Sequence, residues 1–388
     1  MVRNDVAVDD ITLATILSGH GQAGLEHGRV IHAFLLKNGF LLAGKIGNAV
    51  MNSYARRGDV VAAFRLFSRM KVRDAASHTI LINGYLKLGL FDNARAIFDE
   101  MHSRDLVAWN SVINGYVKAS RIKEALELFK QMEDEMVKPD EVTMNSLMSA
   151  CAQLTDLQLG RSIHRFIRQQ GIKEDLFLGT ALIHMYAKCG SLMDAALTFS
   201  KMEIKDVYTW TALISGFSVN AHGHEALRLF TQMRKEGVEP NDATFVAVLM
   251  ACSHAGLVGE GRYWFDQMVR AYKIQPKIEH LGCMVDLLSR AGLLYEAVEI
   301  IKEIPIQDRV IPYKTLLGAC ISYGDIDLGE KVAKELIKMD TKSHGVFVLL
   351  SNFHAFAKRW DDVEDMRNIL RRSDIKKEAG ISNVEAVG

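Results

Sequence analysis

The stretch AASHTILINGYLKLGLFDNARAIFDEMHSRD, residues 75–105, contains two apolar runs with helical spacing on either side of a glycine. The first run comprises Ile80, Leu81, Gly84, Tyr85 and Leu88, and the second comprises Ala94, Ile97, Phe98 and Met101. Residues that recur every three to four positions line one face of a helix, and Gly89 between the runs is typical of a turn. The stretch therefore predicts a helical hairpin, in which Gly84 and Ala94 let the paired helices approach closely.

The same pattern recurs along the chain, because a Phe and a Met three residues apart close unit after unit. The pairs are Phe67/Met70, Phe98/Met101, Phe129/Met132, Phe199/Met202, Phe230/Met233 and Phe265/Met268. The steps from one Phe to the next are 31, 31, 70, 31 and 35 residues. One hairpin cannot bury its own apolar face, so this period indicates hairpins stacked into an all-α solenoid with an inner groove. The recurring aromatic residues are then core residues rather than a cofactor-binding motif.

The repeat marks divide the chain into an N-terminal stub, nine repeats and a C-terminal segment. The stub is residues 1–9, and the segment is residues 310–388, where the closing Phe/Met mark is lost. The repeats are residues 10–43, 44–74, 75–105, 106–140, 141–175, 176–206, 207–241, 242–277 and 278–309.

The composition argues against several classes of protein. Lys plus Arg and Asp plus Glu both number 47, so net charge does not favour nucleic acid or membrane, although a local basic groove remains compatible. The cysteines Cys151, Cys189, Cys252, Cys283 and Cys320 are far apart and are expected to be reduced thiols in the core. No run of 18 apolar residues occurs, so we expect neither a membrane-spanning helix nor a membrane partner.

The sequence also lacks motifs for catalysis. Neither His-x-Glu nor Pro-Cys-x-x-Cys, the strings with which nucleobase deaminases hold zinc and move protons, occurs in it. His222 and His224 lie beside Glu225 without cysteine partners, so we expect no metal there. The expectation is therefore a protein with no enzyme activity of its own and no cofactor.

A polar pair marks six of the predicted units. In residues 106–140, Asn110 follows Trp109 in the first helix, and Asp140 is the last residue. The matching pairs are Asn48/Asp74, Thr79/Asp105, Asn145/Asp175, Thr180/Asp206 and Thr211/Asn241. Helix capping accounts for the closing Asp or Asn. It does not account for the earlier position, which lies inside a helix, where Asn and Thr are neutral or unfavourable. The recurrence predicts that these side chains contact a ligand.

Several strings resemble the pentatricopeptide repeat family, in particular the plant PLS-type arrays that mix units of different lengths. They include NSVINGYVKASRIKEALELFKQMEDEMVKPD, residues 110–140, and GTALIHMYAKCGSLMDAALTFSKM, residues 179–202. The resemblance covers residues 10 to about 385. It implies a right-handed α-solenoid of helix-turn-helix repeats that binds single-stranded RNA, one unit per base, with two side chains reading each base. The family's base-reading positions fall on the six polar pairs.

The family's code gives each pair an expected base. Asn with Asp implies uracil, Thr with Asp implies guanine, and Thr with Asn implies adenine, so the six units read about 5′-U-G-U-x-G-A, with x for Asn145/Asp175. The units that open at residues 10, 242 and 278 carry Ala14/Ala43, Val246/Lys277 and Gly282/Arg309 and are expected to discriminate poorly. Family members also insert an apolar residue between bases. The matching positions hold Val107, Val142, Phe177 and Tyr208, whose alternative role is an exposed edge of the core.

Residues 310–388 resemble the E-type extension of organellar RNA-editing factors. The match is carried by Leu349, Leu350, Asn352, Trp360 and Val363, whereas Ala379 and Asn383 depart from the family pattern. In that group the array finds the site, and the extension helps to recruit a cytidine deaminase. The alternative is that two further helical hairpins shield the last repeat from water.

The resemblance therefore implies a site-recognition factor for C-to-U editing of organellar RNA. Its partners would be single-stranded RNA and, through residues 310–388, a deaminase-bearing pentatricopeptide repeat protein or an editing accessory factor. One alternative is a factor for organellar RNA stability, splicing or translation. Another is a protein-binding scaffold of the tetratricopeptide kind, although that family keeps a steady period of about 34 residues. The expected location is the mitochondrion, with the chloroplast as the alternative, and the N-terminus does not read as a transit peptide.

Overall fold

The computed structural model describes residues 32–35, 37, 44–339 and 344–372, and all regular structure within them is helical. The stub, most of the first predicted repeat, and Ala379 and Asn383 lie outside the described residues. The chain divides into two compact units, residues 1–202 and 203–388. None of the helices in the described ranges is both long and apolar enough to cross a bilayer.

Ten helices of the first unit are described from end to end. They are α1 Gly44–Arg56, α2 Val60–Arg69, α3 Ala75–Lys87, α4 Phe91–Asp99, α5 Leu106–Lys118, α6 Ile122–Asp134, α7 Glu141–Leu154, α8 Leu157–Gln169, α9 Leu176–Lys188 and α10 Leu192–Lys201. Each of α1, α3, α5 and α7 packs on the next odd-numbered helix. Each of α2, α4, α6 and α8 packs against its own partner and against the first helix of the following hairpin.

The second unit repeats this arrangement. Its helices are α11 Val207–Val219, α12 Gly223–Lys235, α13 Asp242–Ala255, α14 Val258–Arg270, α15 Ile278–Arg290, α16 Leu294–Glu303, α17 Val310–Tyr323, α18 Ile326–Met339, α19 His344–Phe356 and α20 Trp360–Arg372. A short 3₁₀ helix, Ile306–Asp308, precedes α17. The helices α17 to α20 belong to the predicted extension, and they form two hairpins of the same kind as the repeats.

The turn inside each hairpin uses a left-handed residue. Gly89 has a φ of 73°, as its position between two apolar runs predicts, and Gly58 and Gly190 are similar. At the corresponding place two other hairpins have Ser120, with a φ of 59°, and Ala221, with a φ of 62°. A left-handed conformation is easy for glycine and strained for other residues, so packing of the flanking helices imposes the turn at Ser120 and Ala221.

The recurring aromatic and sulfur side chains form the core, as the sequence predicts. Phe67, Phe98 and Phe230 are at most 1% exposed, and Met132 and Met233 are fully buried. Each lies on the second helix of a hairpin, on the face turned toward the first helices. The hydrophobic effect of burying these faces against neighbours stabilises the stack.

Gly84 and Gly115 allow close approach between successive hairpins, and not between the two helices of one hairpin as predicted. A Cβ built on Gly84 lies 3.1 Å from the Ala55 Cβ, and one built on Gly115 lies 2.4 Å from the Leu86 Cδ1. Both neighbours belong to the preceding hairpin. The prediction that Gly84 lets the two helices of its own hairpin approach is therefore wrong, because the tightest contact lies between the first helices of successive hairpins.

Candidate nucleic-acid interface

The last residue of each predicted polar pair caps the first helix of the following hairpin. The carboxylate or amide oxygen accepts a hydrogen bond from the backbone N–H three residues later in all six cases. The distances are 2.7 Å for Asp74 and Ser77, 2.9 Å for Asp105 and Ala108, 2.9 Å for Asp140 and Thr143, 2.8 Å for Asp175 and Leu178, 2.9 Å for Asp206 and Thr209, and 2.9 Å for Asn241 and Thr244. Capping therefore explains the residue type at this position in every pair.

Two of these caps also contact the predicted base-reading residue of the preceding first helix. The Asn48 Nδ2 donates to the two carboxylate oxygens of Asp74 at 3.1 and 3.2 Å. The Asn110 Nδ2 donates to those of Asp140 at 3.0 and 3.2 Å. The sequence pattern predicted these two pairs, whose members are 26 and 30 residues apart. The structure brings both pairs together in the same geometry.

These contacts keep the two caps ionised. Burial raises the pKa of the Asp140 carboxyl, but hydrogen bonds from the Thr143 backbone N–H and the Asn110 amide outweigh it, so the pKa lies below its ordinary value. The pKa of Asp74 is lowered for the same reasons, with burial again opposed by the bonds from Ser77 and Asn48. A charged acceptor beside the asparagine amide fixes which side of that amide carries its nitrogen.

The Thr211/Asn241 pair is joined through a third side chain. The Thr211 hydroxyl lies 2.7 Å from the Thr244 hydroxyl, which in turn donates to the Asn241 Oδ1 at 2.9 Å. Thr143 stands in the equivalent place beside Asn110, where its hydroxyl donates to the Asn110 Oδ1 at 2.6 Å. Sequence reasoning missed Thr143 and Thr244. Their signal is a Thr three residues after the cap, which also reads as an ordinary capping box.

Two predicted pairs, Thr79/Asp105 and Asn145/Asp175, do not form such contacts in the described part of the chain. The Thr79 hydroxyl donates to the Ala75 carbonyl of its own helix at 2.9 Å, its side chain is only 9% exposed, and it shares no hydrogen bond with Asp105. Asn145 is exposed and shares none with Asp175. Thr180 donates to the Leu176 carbonyl at 2.8 Å, and its predicted partner Asp206 belongs to the other compact unit.

The predicted base-inserting residues are all exposed apolar side chains. Val107 is 61% exposed, Val142 54%, Phe177 76% and Tyr208 68%. Each is the second residue of a first helix, one turn before the reading position of that helix. Exposed apolar side chains beside polar groups suit stacking against bases, which combines an apolar face with hydrogen bonding at the edge.

The described residues give little support for metal binding or for cysteine chemistry. In the described ranges, no group of three or more His, Cys, Asp or Glu side chains is arranged to hold a metal ion. All five cysteines are free thiols, and burial raises the pKa of Cys151, Cys252, Cys283 and Cys320 to about 12. Such thiols are poor nucleophiles, which fits a role in packing.

Known proteins share the repeats of this chain. The PPR repeat model matches residues 48–74, 76–106, 180–207, 243–271 and 280–305, and the PPR repeat family model matches 104–153 and 205–254. The chloroplastic pentatricopeptide repeat-containing protein At5g59200 of Arabidopsis thaliana is 46% identical over 385 residues, which are 99% of this chain and 70% of the relative. The chain belongs to the pentatricopeptide repeat family. The E motif model matches residues 323–385, so the predicted E-type extension is confirmed.

A second relative and a solved structure agree with this assignment. The chloroplastic pentatricopeptide repeat-containing protein ELI1 of Arabidopsis thaliana is 44% identical, over 99% of this chain and 61% of the relative. The crystal structure of the pentatricopeptide repeat protein PPR10 from maize has a TM-score of 0.50 and 16% identity, over 96% of this chain and 65% of that one. The predicted all-α solenoid of stacked helix-turn-helix repeats is therefore confirmed. The chain spans only 48 to 64% of the length of several Arabidopsis relatives.

Proposed function

We propose that this chain binds single-stranded RNA sequence-specifically and acts as a site-recognition factor for C-to-U editing in an organelle. The observation that carries the proposal is the matched geometry of Asn48 with Asp74 and Asn110 with Asp140. Each pair presents one polarised amide at the start of a first helix. Family membership and the E motif at residues 323–385 support the same function.

The chemistry of the asparagine pairs favours uracil. The Asn110 Nδ2 donates one proton to Asp140 and keeps a second for a base. Uracil has a carbonyl oxygen at C4 that accepts this proton, whereas cytosine has an amino group there that donates. A cytosine would therefore leave two donors facing each other, at a cost of about 1–3 kcal/mol.

The threonine pairs favour purines by a similar argument. The Thr79 hydroxyl gives its proton to the Ala75 carbonyl, so its oxygen can only accept a further hydrogen bond. Guanine has N–H donors on its Watson–Crick edge that suit such an acceptor. The chain thus reads about 5′-U-G-U-x-G-A, with one repeat per base, and Asn145 with Asp175 contributes the loosely read position.

A binding experiment tests this proposal. Fluorescence anisotropy with an RNA containing U-G-U-N-G-A should give at least tenfold tighter binding than with a scrambled RNA of equal composition, a difference of about 1.4 kcal/mol. Asn110→Ala should abolish the preference for U over C at the third base. Asn145→Ala is the matched control, because Asn145 has the same helical position without a bonded cap. Equal, weak binding to both RNAs would instead favour a protein-binding scaffold.

We further propose that residues 310–388 recruit a deaminase in trans, from a deaminase-bearing repeat protein or an editing accessory factor. The names of relatives, chloroplastic in two cases and mitochondrial in a third, support an organellar location without choosing between the two. Sequencing of organellar transcripts from plants with and without the gene tests this role. A single cytidine left unedited supports it, whereas changed transcript abundance with all sites edited points to RNA stabilisation.

A further inference from the structure

A third side chain meets two of the reading pairs, and it comes from the first helix of the following hairpin. Thr143 and Thr244 each follow their cap by three residues, and both are fully buried. The Thr143 Oγ1 lies 2.6 Å from the Asn110 Oδ1 and 2.9 Å from the Asp140 Oδ1. The Thr244 Oγ1 lies 2.7 Å from the Thr211 Oγ1 and 2.9 Å from the Asn241 Oδ1.

The hydroxyl of Thr143 has one proton, and its position decides how Asn110 is oriented. The shorter of its two contacts is with the Asn110 Oδ1, and its oxygen also accepts from the Asp140 backbone N–H at 3.3 Å. Asn110 is therefore held on both sides, with its oxygen toward Thr143 and its nitrogen toward Asp140. A flipped amide would set an N–H beside the hydroxyl and an oxygen beside a carboxylate, which is electrostatically unfavourable.

Two other hairpins lack this hydroxyl. Ala108 and Leu178 occupy the equivalent position after Asp105 and Asp175, and in both cases the described reading residue and cap share no hydrogen bond. Ser77 is intermediate. Its hydroxyl donates to the Asp74 backbone carbonyl at 2.7 Å rather than to Asn48, whose buried Oδ1 has no hydrogen-bond partner.

We propose that Thr143 and Thr244 are positioning residues of the base-reading sites, each orienting the reading side chain of the preceding repeat. Base specificity in these repeats then depends on three side chains from two successive hairpins. The proposal rests on the proposed RNA-binding function. It extends that function because the third residue belongs to a different repeat from the pair that it orients.

The test compares base preference in variants that differ by one hydroxyl. Thr143→Val removes the hydroxyl and keeps the side-chain volume, whereas Thr143→Ser restores the hydroxyl. Affinity is measured for two RNAs that differ only in U or C at the third base. We expect Thr143→Val to lower the U-to-C affinity ratio about fivefold, the effect of losing one orienting hydrogen bond. Thr143→Ser should recover part of the ratio, because a serine hydroxyl at this position can also donate to the backbone carbonyl of the cap, as Ser77 does. The ratio cancels any general loss of folded protein, which a thermal melt of each variant measures separately.

Two further variants separate orientation from capping. Ser77→Ala removes a buried hydroxyl at the same helical position that contacts Asp74 but not Asn48, so the preference at the first base should stay unchanged. Thr244→Val should weaken the preference for A over G at the sixth base, and it provides an independent site if Thr143→Val folds poorly. An unchanged ratio in a folded Thr143→Val protein overturns this inference alone. A wild-type protein without base preference at the third position overturns both this inference and the proposed function.

Discussion

Gly223 is the position where the stacking geometry makes its sharpest prediction about stability. It is the first residue of α12, and it lies against α13 of the following hairpin. A Cβ built on it lies 2.5 Å from the Ala251 carbonyl oxygen and 2.8 Å from the Ala255 Cβ. The first of these atoms is backbone and cannot rotate away. Gly223→Ala must therefore move α12 away from α13.

The expected size of the effect follows from two opposing contributions. Overpacking of this kind costs roughly 1–3 kcal/mol. Replacing a helical glycine by alanine returns about 0.5–1 kcal/mol, and less at the first helical residue. We therefore expect Gly223→Ala to lower the free energy of unfolding by about 1–2 kcal/mol.

Gly282 provides the matched control. It lies inside α15 in the same compact unit, and a Cβ built on it has no heavy atom within 4 Å. Only the higher helix propensity of alanine then contributes, so Gly282→Ala should stabilise the protein by about 0.5–1 kcal/mol. Urea unfolding followed by circular dichroism measures both variants. Shifts of the same sign for Gly223→Ala and Gly282→Ala would refute the close approach of α12 and α13.

Three other predictions concern buried polar groups. The Ser218 hydroxyl is fully buried and lies 2.8 Å from two carbonyl oxygens, that of Ala247 in the next hairpin and that of Ile214 in its own helix. Ser218→Ala should therefore lower the free energy of unfolding by about 1 kcal/mol, and an unchanged midpoint in urea would contradict a contribution from this hydroxyl. Burial raises the pKa of the Cys252 thiol to about 12, so iodoacetamide at pH 8 should modify it only after denaturation, as mass spectrometry of the intact protein can check. Burial lowers the pKa of His164, whose Nδ1 lies 2.6 Å from the Tyr186 hydroxyl, so its neutral form stabilises the fold above the ordinary pKa of 6.5. That stability is lost as pH falls from 6.5 through the lowered pKa, and His164→Gln should lose less stability than the wild type between pH 8 and 5.

The hairpins could be predicted from the sequence because their causes are local. Helical spacing of apolar residues and a turn glycine define each hairpin, and Asp or Asn at a fixed place starts the next one. The reading pairs could be predicted for a similar reason. The repeat places Asn48 and Asn110 on first helices and Asp74 and Asp140 at the starts of the following ones, so both pairs meet although their members are 26 and 30 residues apart.

The remaining features depend on packing between hairpins, which the pattern does not encode. Thr79 has the same place in its repeat as Asn110, yet its short side chain bonds to Ala75 and is nearly buried. Thr143 is 33 residues from Asn110, and its single local signature is that of a capping box. Gly115 meets Leu86 of the preceding hairpin, a contact that depends on how closely the two first helices approach.

Helix capping and the proposed base reading are compatible roles for one residue. A carboxylate has about four acceptor sites, so Asp140 can hold the start of α7 through the Thr143 N–H and still bind the Asn110 amide. Asp and Asn cap helices about equally well. Fold stability therefore does not decide between Asp140 in one repeat and Asn241 in another. Under the proposed function, the choice between Asp and Asn depends on the group that the paired side chain offers to a base. That group is an amide beside Asp140 and a hydroxyl beside Asn241.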